Sequence, residues 1–217
     1  MAPPYPRSDE RMMMVEQQIR DRGISNARVL AAMAEVPRHL FVPEPYERDA
    51  YADAPLPIGN GQTISQPYIV ALMTALLQPK STDTVLEIGA GSGYQAAILS
   101  QLVRTVITIE RIEDVARQAR VNLARAGADN VDIIVGDGTL GYPKRAPYNG
   151  IIITAATPDI PEPLKEQLAE GGRLVAPVGD RQLQELVVLE KQQDWISLER
   201  HGGVRFVPLI GQHGWED

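Results

Sequence analysis

The sequence predicts an α/β fold: a doubly wound, mostly parallel sheet behind a helical and irregular N-terminal cap, finished by antiparallel strands. Three observations carry this. From Thr84 onward, apolar runs of strand length alternate with segments of helical length, the pattern of βαβ units. The first run breaks into Gly89-Ala-Gly91-Ser-Gly93, a turn that lets backbone approach a ligand at a strand's carboxyl end. Between Pro37 and Pro67, proline and glycine recur too densely for long regular elements, so an irregular cap is expected there. A chain of 217 residues, 44% apolar, is enough for one domain with a sizeable core. It is therefore read as a single unit, with residues 1–79 as helices and cap and residues 80–217 as the α/β core.

In chain order, Ser8–Arg22 reads as a helix, with Ser8 as N-cap, Met12, Val15 and Ile19 as its apolar stripe and Gly23 as the stop. A second helix begins near Ser25, carries Val29, Leu30 and Met33, and ends before Pro37. Pro67 suits the first position of a third. Strands are placed near Val85–Ile88, Thr105–Ile109, Val131–Val135, Gly150–Thr154 and Arg173–Pro177, with helices over Gly93–Leu102, Ile112–Ala126 and Pro161–Ala169. Two last runs, Glu185–Glu190 and Ser197–Val207, have too little chain between them for a parallel crossover, which predicts an antiparallel finish.

Composition narrows the function. The net charge of −7 argues against a broad nucleic-acid surface. With no cysteine and only His39, His201 and His213 as imidazoles, thiolate chemistry and a metal site are not expected. No 18-residue apolar stretch offers a membrane span and no charged-then-apolar leader is evident, so a cytoplasmic protein without membrane partners, acting as a monomer, is expected.

Tyr94 discriminates between two glycine-rich signatures. A dinucleotide fingerprint wants glycine or alanine there, whereas Gly89-x-Gly91-x-Gly93 resembles the first motif of the Rossmann-like class I S-adenosylmethionine-dependent methyltransferases. Glu110 follows Gly89 by 21 positions, at the end of the second strand, where a carboxylate can hold ribose hydroxyls or can simply cap the next helix. Asp137, before Gly138, stands where such enzymes hold the adenine amino group; a tight Asp-Gly turn would look the same. Glu87 is a carboxylate in an apolar strand end, which must find partners or be costly; it can orient the sulfonium side of the cofactor or pair with a backbone N–H. Pro3-Pro4-Tyr5 looks like the clamp of adenine-N6 methyltransferases, but that clamp belongs at the fourth strand's end, where Thr154-Ala-Ala-Thr157 stands.

Val36-Pro-Arg-His-Leu-Phe-Val-Pro43, Leu56-Pro-Ile-Gly-Asn-Gly-Gln-Thr-Ile-Ser-Gln-Pro67, the glycine motif and Gly136-Asp-Gly138 closely resemble the protein-L-isoaspartate (D-aspartate) O-methyltransferase family, from about residue 8 to Leu209. Gln62-Thr-Ile-Ser-Gln-Pro67 is the block specific to that family. The resemblance implies methyl transfer from S-adenosyl-L-methionine to the α-carboxylate of isoaspartyl residues in damaged proteins and peptides. It implies Ser65 as the active-site residue, with Gln62, Thr63 and Ile64 lining the cleft. Gly89, Gly91, Gly93, Glu87, Glu110, Asp137 and Gly138 complete the cofactor set. The tail after Leu209 matches nothing interpretable. Two alternatives stay open, a methyltransferase for another nucleophile and a binding module without turnover.

The residue chemistry agrees with the resemblance. A carboxylate with a pKa of roughly 4 is already ionised at pH 7, so no general base is required of the chain. Ser65, just before Pro67, lies near a helix N-terminus whose N–H groups attract an anion; it is read as a donor to the substrate carboxylate or as a plain cap. His39 is read as a packed or surface histidine.

Overall fold

The computed structural model describes residues 7–192 and 195–216, so Pro3-Pro4-Tyr5 lies outside the described residues. Helix α1 (Ser8–Met13) runs on as a π-helical segment, Met14–Arg20, that buries Met14, Val15 and Ile19. Ser8 is not its N-cap. Arg7 holds that position at φ 62°, and its guanidinium binds the Glu10 carboxylate and the Glu47 carbonyl, so ion pairing in place of a hydroxyl fixes the start. Gly23, at φ 94°, follows the helix as its stop. Helix α2 (Ala27–Glu35) is capped by Asn26, whose side chain accepts from the N–H groups of Arg28 and Val29, and it ends ahead of Pro37.

The Pro37–Pro67 stretch is more ordered than its composition suggests. It holds 3-10 turns at Arg38–Phe41 and Glu44–Asp49 and a hairpin of β1 (Leu56–Gly59) and β2 (Gln62–Ile64). Asn60 and Gly61, at φ 51° and 70°, supply the two left-handed residues of a tight hairpin turn. Helix α3 (Pro67–Leu77) then starts at its proline.

Seven further strands, β3 (Thr84–Ile88), β4 (Thr105–Glu110), β5 (Val131–Val135), β6 (Tyr148–Ile153), β7 (Leu168–Gly179), β8 (Gln184–Gln192) and β9 (Trp195–Val204), form one sheet in the order β5-β4-β3-β6-β7-β8-β9. Pairings from β5 across to β7 are parallel, and β7-β8-β9 is an antiparallel meander. Helices α4 (Tyr94–Ser100), α5 (Glu113–Arg125) and α6 (Glu162–Gln167) complete the crossovers. β7 begins at Leu168, ahead of Arg173, because a bulge containing Gly171 and Gly172 lets polar residues continue the strand.

Alternation along β3 sets up the site. Val85 joins an apolar layer with residues of α2, α3 and α4, while Leu86 and Ile88 face the layer that holds Leu164 of α6. Glu87 shares the parity of Val85, so a carboxylate stands on the face covered by the cap. Strand order reverses at β3, between β4 and β6, and the crevice outside those carboxyl ends is where such sheets bind ligands.

Candidate active site

After Ile88 the chain passes through Gly89, Gly91 and Gly93 at φ 95°, 53° and 89°. The turn hangs from the end of β4, with the N–H of Gly89 donating to the Ile109 carbonyl at 2.8 Å. Thr154, just beyond β6, donates its hydroxyl across to the Ile88 and Gly89 carbonyls, at 2.9 and 2.6 Å. A Cβ on Gly89 would fall 2.7 Å from that hydroxyl oxygen, which is why no side chain fits there. Gly93 serves packing instead, since a Cβ there would press on Leu123 of α5 at 3.1 Å. Gly91 alone faces open space, with Ile58 and the Thr63 carbonyl as its nearest neighbours at 3.8 and 4.0 Å.

Two carboxylates flank this turn. Glu110 ends β4, accepts from the N–H of Gly91 at 3.0 Å and from that of Ile112 at 3.0 Å, and so ties the glycine turn to the entry of α5. Glu87 is fully buried, and neither of its oxygens has a hydrogen-bond partner. Its register neighbour Thr108 is near enough to ease the charge slightly, yet the Thr108 hydroxyl is unpartnered too, so no bond joins them. Burial first, and the charge of Glu110 second, push the Glu87 carboxyl up to about 8.

Around these residues lies a cleft of about 570 Å³, part of it open to solvent, bounded by Gln62, Thr63, Ile64 and Ser65 of the hairpin and loop on one side and by Glu87, Gly89, Gly91 and Glu110 on the other. Past Glu110 it continues into a compartment of about 460 Å³ walled by Ile109, Ile112, Gly138, Leu209 and Ile210, with Gln62, Gly89, Glu110 and Ala155 common to both. Toward solvent, a groove of about 1480 Å³ meets the cleft at Thr63, Ser65, Thr154, Phe206 and Val207. Ser65 therefore stands at the junction of the cleft beside the glycine turn and a larger groove. Gly93 and Asp137 do not line any of these three spaces.

Arg38 fixes the position of Ser65. Its fully buried guanidinium donates to the carbonyls of Ala50 at 2.7 Å, Ser65 at 2.8 Å and Ala54 at 3.3 Å, and stacks 5.2 Å over the Tyr94 ring. Desolvation lowers it to about 10, so it remains a cation at neutral pH. The N-terminus of α3 is arranged differently from the sequence reading. Gln66 is the cap residue, and the anion at this end is the chain's own Asp53, which accepts from the N–H of Tyr68 at 3.0 Å and pairs with Arg22 at 2.5 Å. This helix end is already satisfied, which leaves the Ser65 side chain, not the helix dipole, as the group at the junction.

Asp137 is likewise occupied. One oxygen accepts from the N–H and hydroxyl of Thr139 at 2.9 and 2.7 Å, and the other from the N–H of Gln212 at 2.8 Å. These donors, with His213 as a further positive influence, hold its carboxyl below the usual range despite desolvation. His39, bonded through Nδ1 to the Tyr51 hydroxyl at 2.7 Å, is a packed histidine whose pKa burial lowers. The readings from sequence missed Thr154, Phe206, Val207 and the segment Pro208-Leu209-Ile210 as walls of the site. The one available signal was that Phe206–Ile210 is too apolar for a free tail.

Comparisons with known proteins agree with this architecture. Residues 9–214 match the family model described as Protein-L-isoaspartate(D-aspartate) O-methyltransferase (PCMT). A protein-L-isoaspartate O-methyltransferase of Methanoregula boonei is 68% identical over 217 residues, covering 100% of both chains, and one of Methanospirillum hungatei is 63% identical over 210 residues, covering 97% of each. Among solved structures, a putative protein-L-isoaspartate O-methyltransferase from Plasmodium falciparum, in complex with S-adenosyl-L-homocysteine, superposes with a TM-score of 0.81 at 26% identity, over 92% of this chain and 98% of that one. The chain belongs to the protein-L-isoaspartate (D-aspartate) O-methyltransferase family.

Proposed function

We propose that this chain repairs proteins by moving a methyl group from S-adenosyl-L-methionine to the free α-carboxylate of L-isoaspartyl residues, with Ser65 holding that carboxylate at the mouth of the cleft. The resulting ester closes to a succinimide, which can reopen as normal aspartate. The observation that carries the reading is the junction itself: Ser65 and Thr63 border both the cleft that holds Glu87 and Glu110 and the larger groove beside it.

The residues fit the donor. Its sulfonium and ammonium are cationic, and the cleft offers the Glu110 carboxylate and the buried, unpartnered Glu87 carboxyl, whose ionised form a bound cation would favour. Gly91 leaves its space free, Glu110 is positioned for ribose hydroxyls, and Ile109, Ile112 and Leu209 give an apolar slot for a base. When bound, S-adenosylmethionine supplies an electrophilic methyl on sulfur. The chain's part is alignment and exclusion of water. A substrate carboxylate is ionised at neutral pH and needs no base, and Tyr94, the phenol beside the cleft, is pushed up by burial and keeps its proton. Arg38 fixes the Ser65 backbone while Thr154 fixes the glycine turn, so the two halves are held from opposite sides.

Action as a monomer is part of the same proposal. The test is incubation with radiolabelled S-adenosylmethionine and two peptides differing only as aspartyl or isoaspartyl. Base-labile label on the isoaspartyl peptide alone is expected; equal labelling of both, or a product stable to mild base, refutes it.

A further inference from the structure

The larger groove carries charge of the opposite sign to the chain as a whole. Its lining includes Arg22, His201 and Arg205 and no carboxylate, although acidic residues outnumber lysine and arginine by 28 to 21. The carboxylates beside it are set back from the lining. Asp53 pairs with Arg22 at 2.5 Å while accepting from the N–H of Tyr68 at the start of α3, and Glu199 faces His201 at 3.3 Å. Arg205 differs from both of these cations. It is exposed, its Nε donates to the Gln182 carbonyl at 3.0 Å, and no carboxylate among the described residues pairs with it. Its terminal nitrogens make no hydrogen bond to the described residues. Phe206, the next residue, borders the cleft as well as the groove, and its N–H donates to the Gln184 side chain at 2.9 Å, which holds this stretch against β8. Arg205 thus stands one residue out from the junction.

We propose that Arg205 is a specificity-determining residue that binds a carboxylate side chain of the substrate close to the isoaspartyl position, so that this chain prefers damaged sites in acidic sequence. The proposal rests on the repair reading above. A peptide with its isoaspartyl carboxylate at Ser65 leaves the junction along the groove, which Ser65 and Arg205 both line. Extended chain advances about 3.3–3.6 Å per residue, so side chains within about three residues of the damaged one run past the guanidinium. The bond to Gln182 fixes its plane and leaves the terminal pair of nitrogens for a forked contact with a carboxylate. Arg22, already paired with Asp53 and stacked 3.5 Å over the Tyr68 ring, adds less. A chain of net charge −7 repels acidic peptides at long range, and a basic groove offsets that repulsion where docking occurs.

The test is steady-state kinetics, at low and at high salt, on isoaspartyl peptides that are identical except for glutamate, glutamine or lysine in the positions flanking the isoaspartyl residue. Wild type, Arg205→Gln, Arg205→Glu and Arg22→Gln are compared, with S-adenosyl-L-homocysteine affinity as the check on folding. Wild type is expected to favour the glutamate peptide over the lysine peptide by roughly three- to tenfold in kcat/KM at low salt, and by less at high salt. Arg205→Gln should bring that ratio toward one, and Arg205→Glu should reverse it. A wild-type ratio at or below one overturns the proposal. So does a ratio that Arg205→Glu leaves unchanged while binding the ligand as wild type does, or one that Arg22→Gln abolishes and Arg205→Gln does not. Should Arg205→Glu fail to fold, Arg205→Gln, which can still donate to the Gln182 carbonyl, decides by the same ratio. No labelling of any of the three peptides by wild type overturns the repair reading, an outcome distinct from equal labelling of all three, which overturns the role of Arg205 alone.

Discussion

Replacing Glu87 by glutamine should stabilise the ligand-free protein, and by an amount that depends on pH. In the folded chain this carboxyl sits fully buried without a hydrogen-bond partner and its pKa is raised to about 8, against 4.5 for the ordinary group. A raised carboxyl binds its proton more tightly folded than unfolded, so its contribution favours folding below the unfolded pKa and is lost as pH rises toward the folded one. Relative to low pH, the loss is under about 1 kcal/mol at pH 5, about 3 kcal/mol at pH 7, and levels off near 5 kcal/mol above pH 8. Glutamine keeps the shape and the unpaired polar atoms but does not titrate. The gap in stability between Glu87→Gln and wild type should therefore widen by about 2–3 kcal/mol from pH 5 to pH 7, or roughly 5–10 °C in thermal midpoint for a chain of this size. Urea unfolding of both proteins across that range measures it. Parallel pH profiles would mean that Glu87 is ionised or paired in the folded state and would refute the reasoning.

Gly91→Val should fold but fail to bind S-adenosylmethionine, since it puts a branched side chain at φ 53° into the only open side of the turn; equal affinity by calorimetry would misplace the site. Ser65→Ala should keep cofactor affinity and lower kcat/KM on an isoaspartyl peptide by roughly ten- to a hundred-fold, the worth of one hydrogen bond to a charged group; unchanged kinetics would reduce Ser65 to a loop residue. Arg38→Met strands three carbonyls and should cost about 3 kcal/mol or more in chemical denaturation. His39, whose pKa is lowered in the fold, should make stability fall as pH drops below about 6.5, and His39→Gln should flatten that limb of the profile.

The sheet core was legible because strands buried on both faces read as apolar runs punctuated by turns, unbroken in Gly150–Ile153 and interrupted only by Glu87 in Val85–Ile88. Cleft residues at strand ends were legible for the same reason: Glu110 and Gly91 follow from where a strand stops. The cap was harder. Its hairpin rests on two strands of four and three residues, too short for alternation to stand out, and Asn60-Gly61 was the signal that a turn joined them. The roles of Asp53, Arg38 and the tail depend on contacts between residues far apart in sequence, such as Arg38 with Ser65 and Asp137 with Gln212, and no local pattern encodes those. Asp137 was identified as important from its strand end, but what it touches was decided by chain arriving 75 residues later.

The walls of the cleft come from residue 62 to residue 210. A chain growing on a ribosome completes the glycine turn long before Phe206 and Val207 exist, a delay on the order of ten seconds at ordinary synthesis rates. During that interval the cleft lacks the part of its lining that Phe206 and Val207 supply. The full lining of the cleft thus exists only once the chain has passed Ile210, and because a ligand that binds only the native form stabilises all of it, a bound donor would stabilise segments more than a hundred residues apart in sequence together.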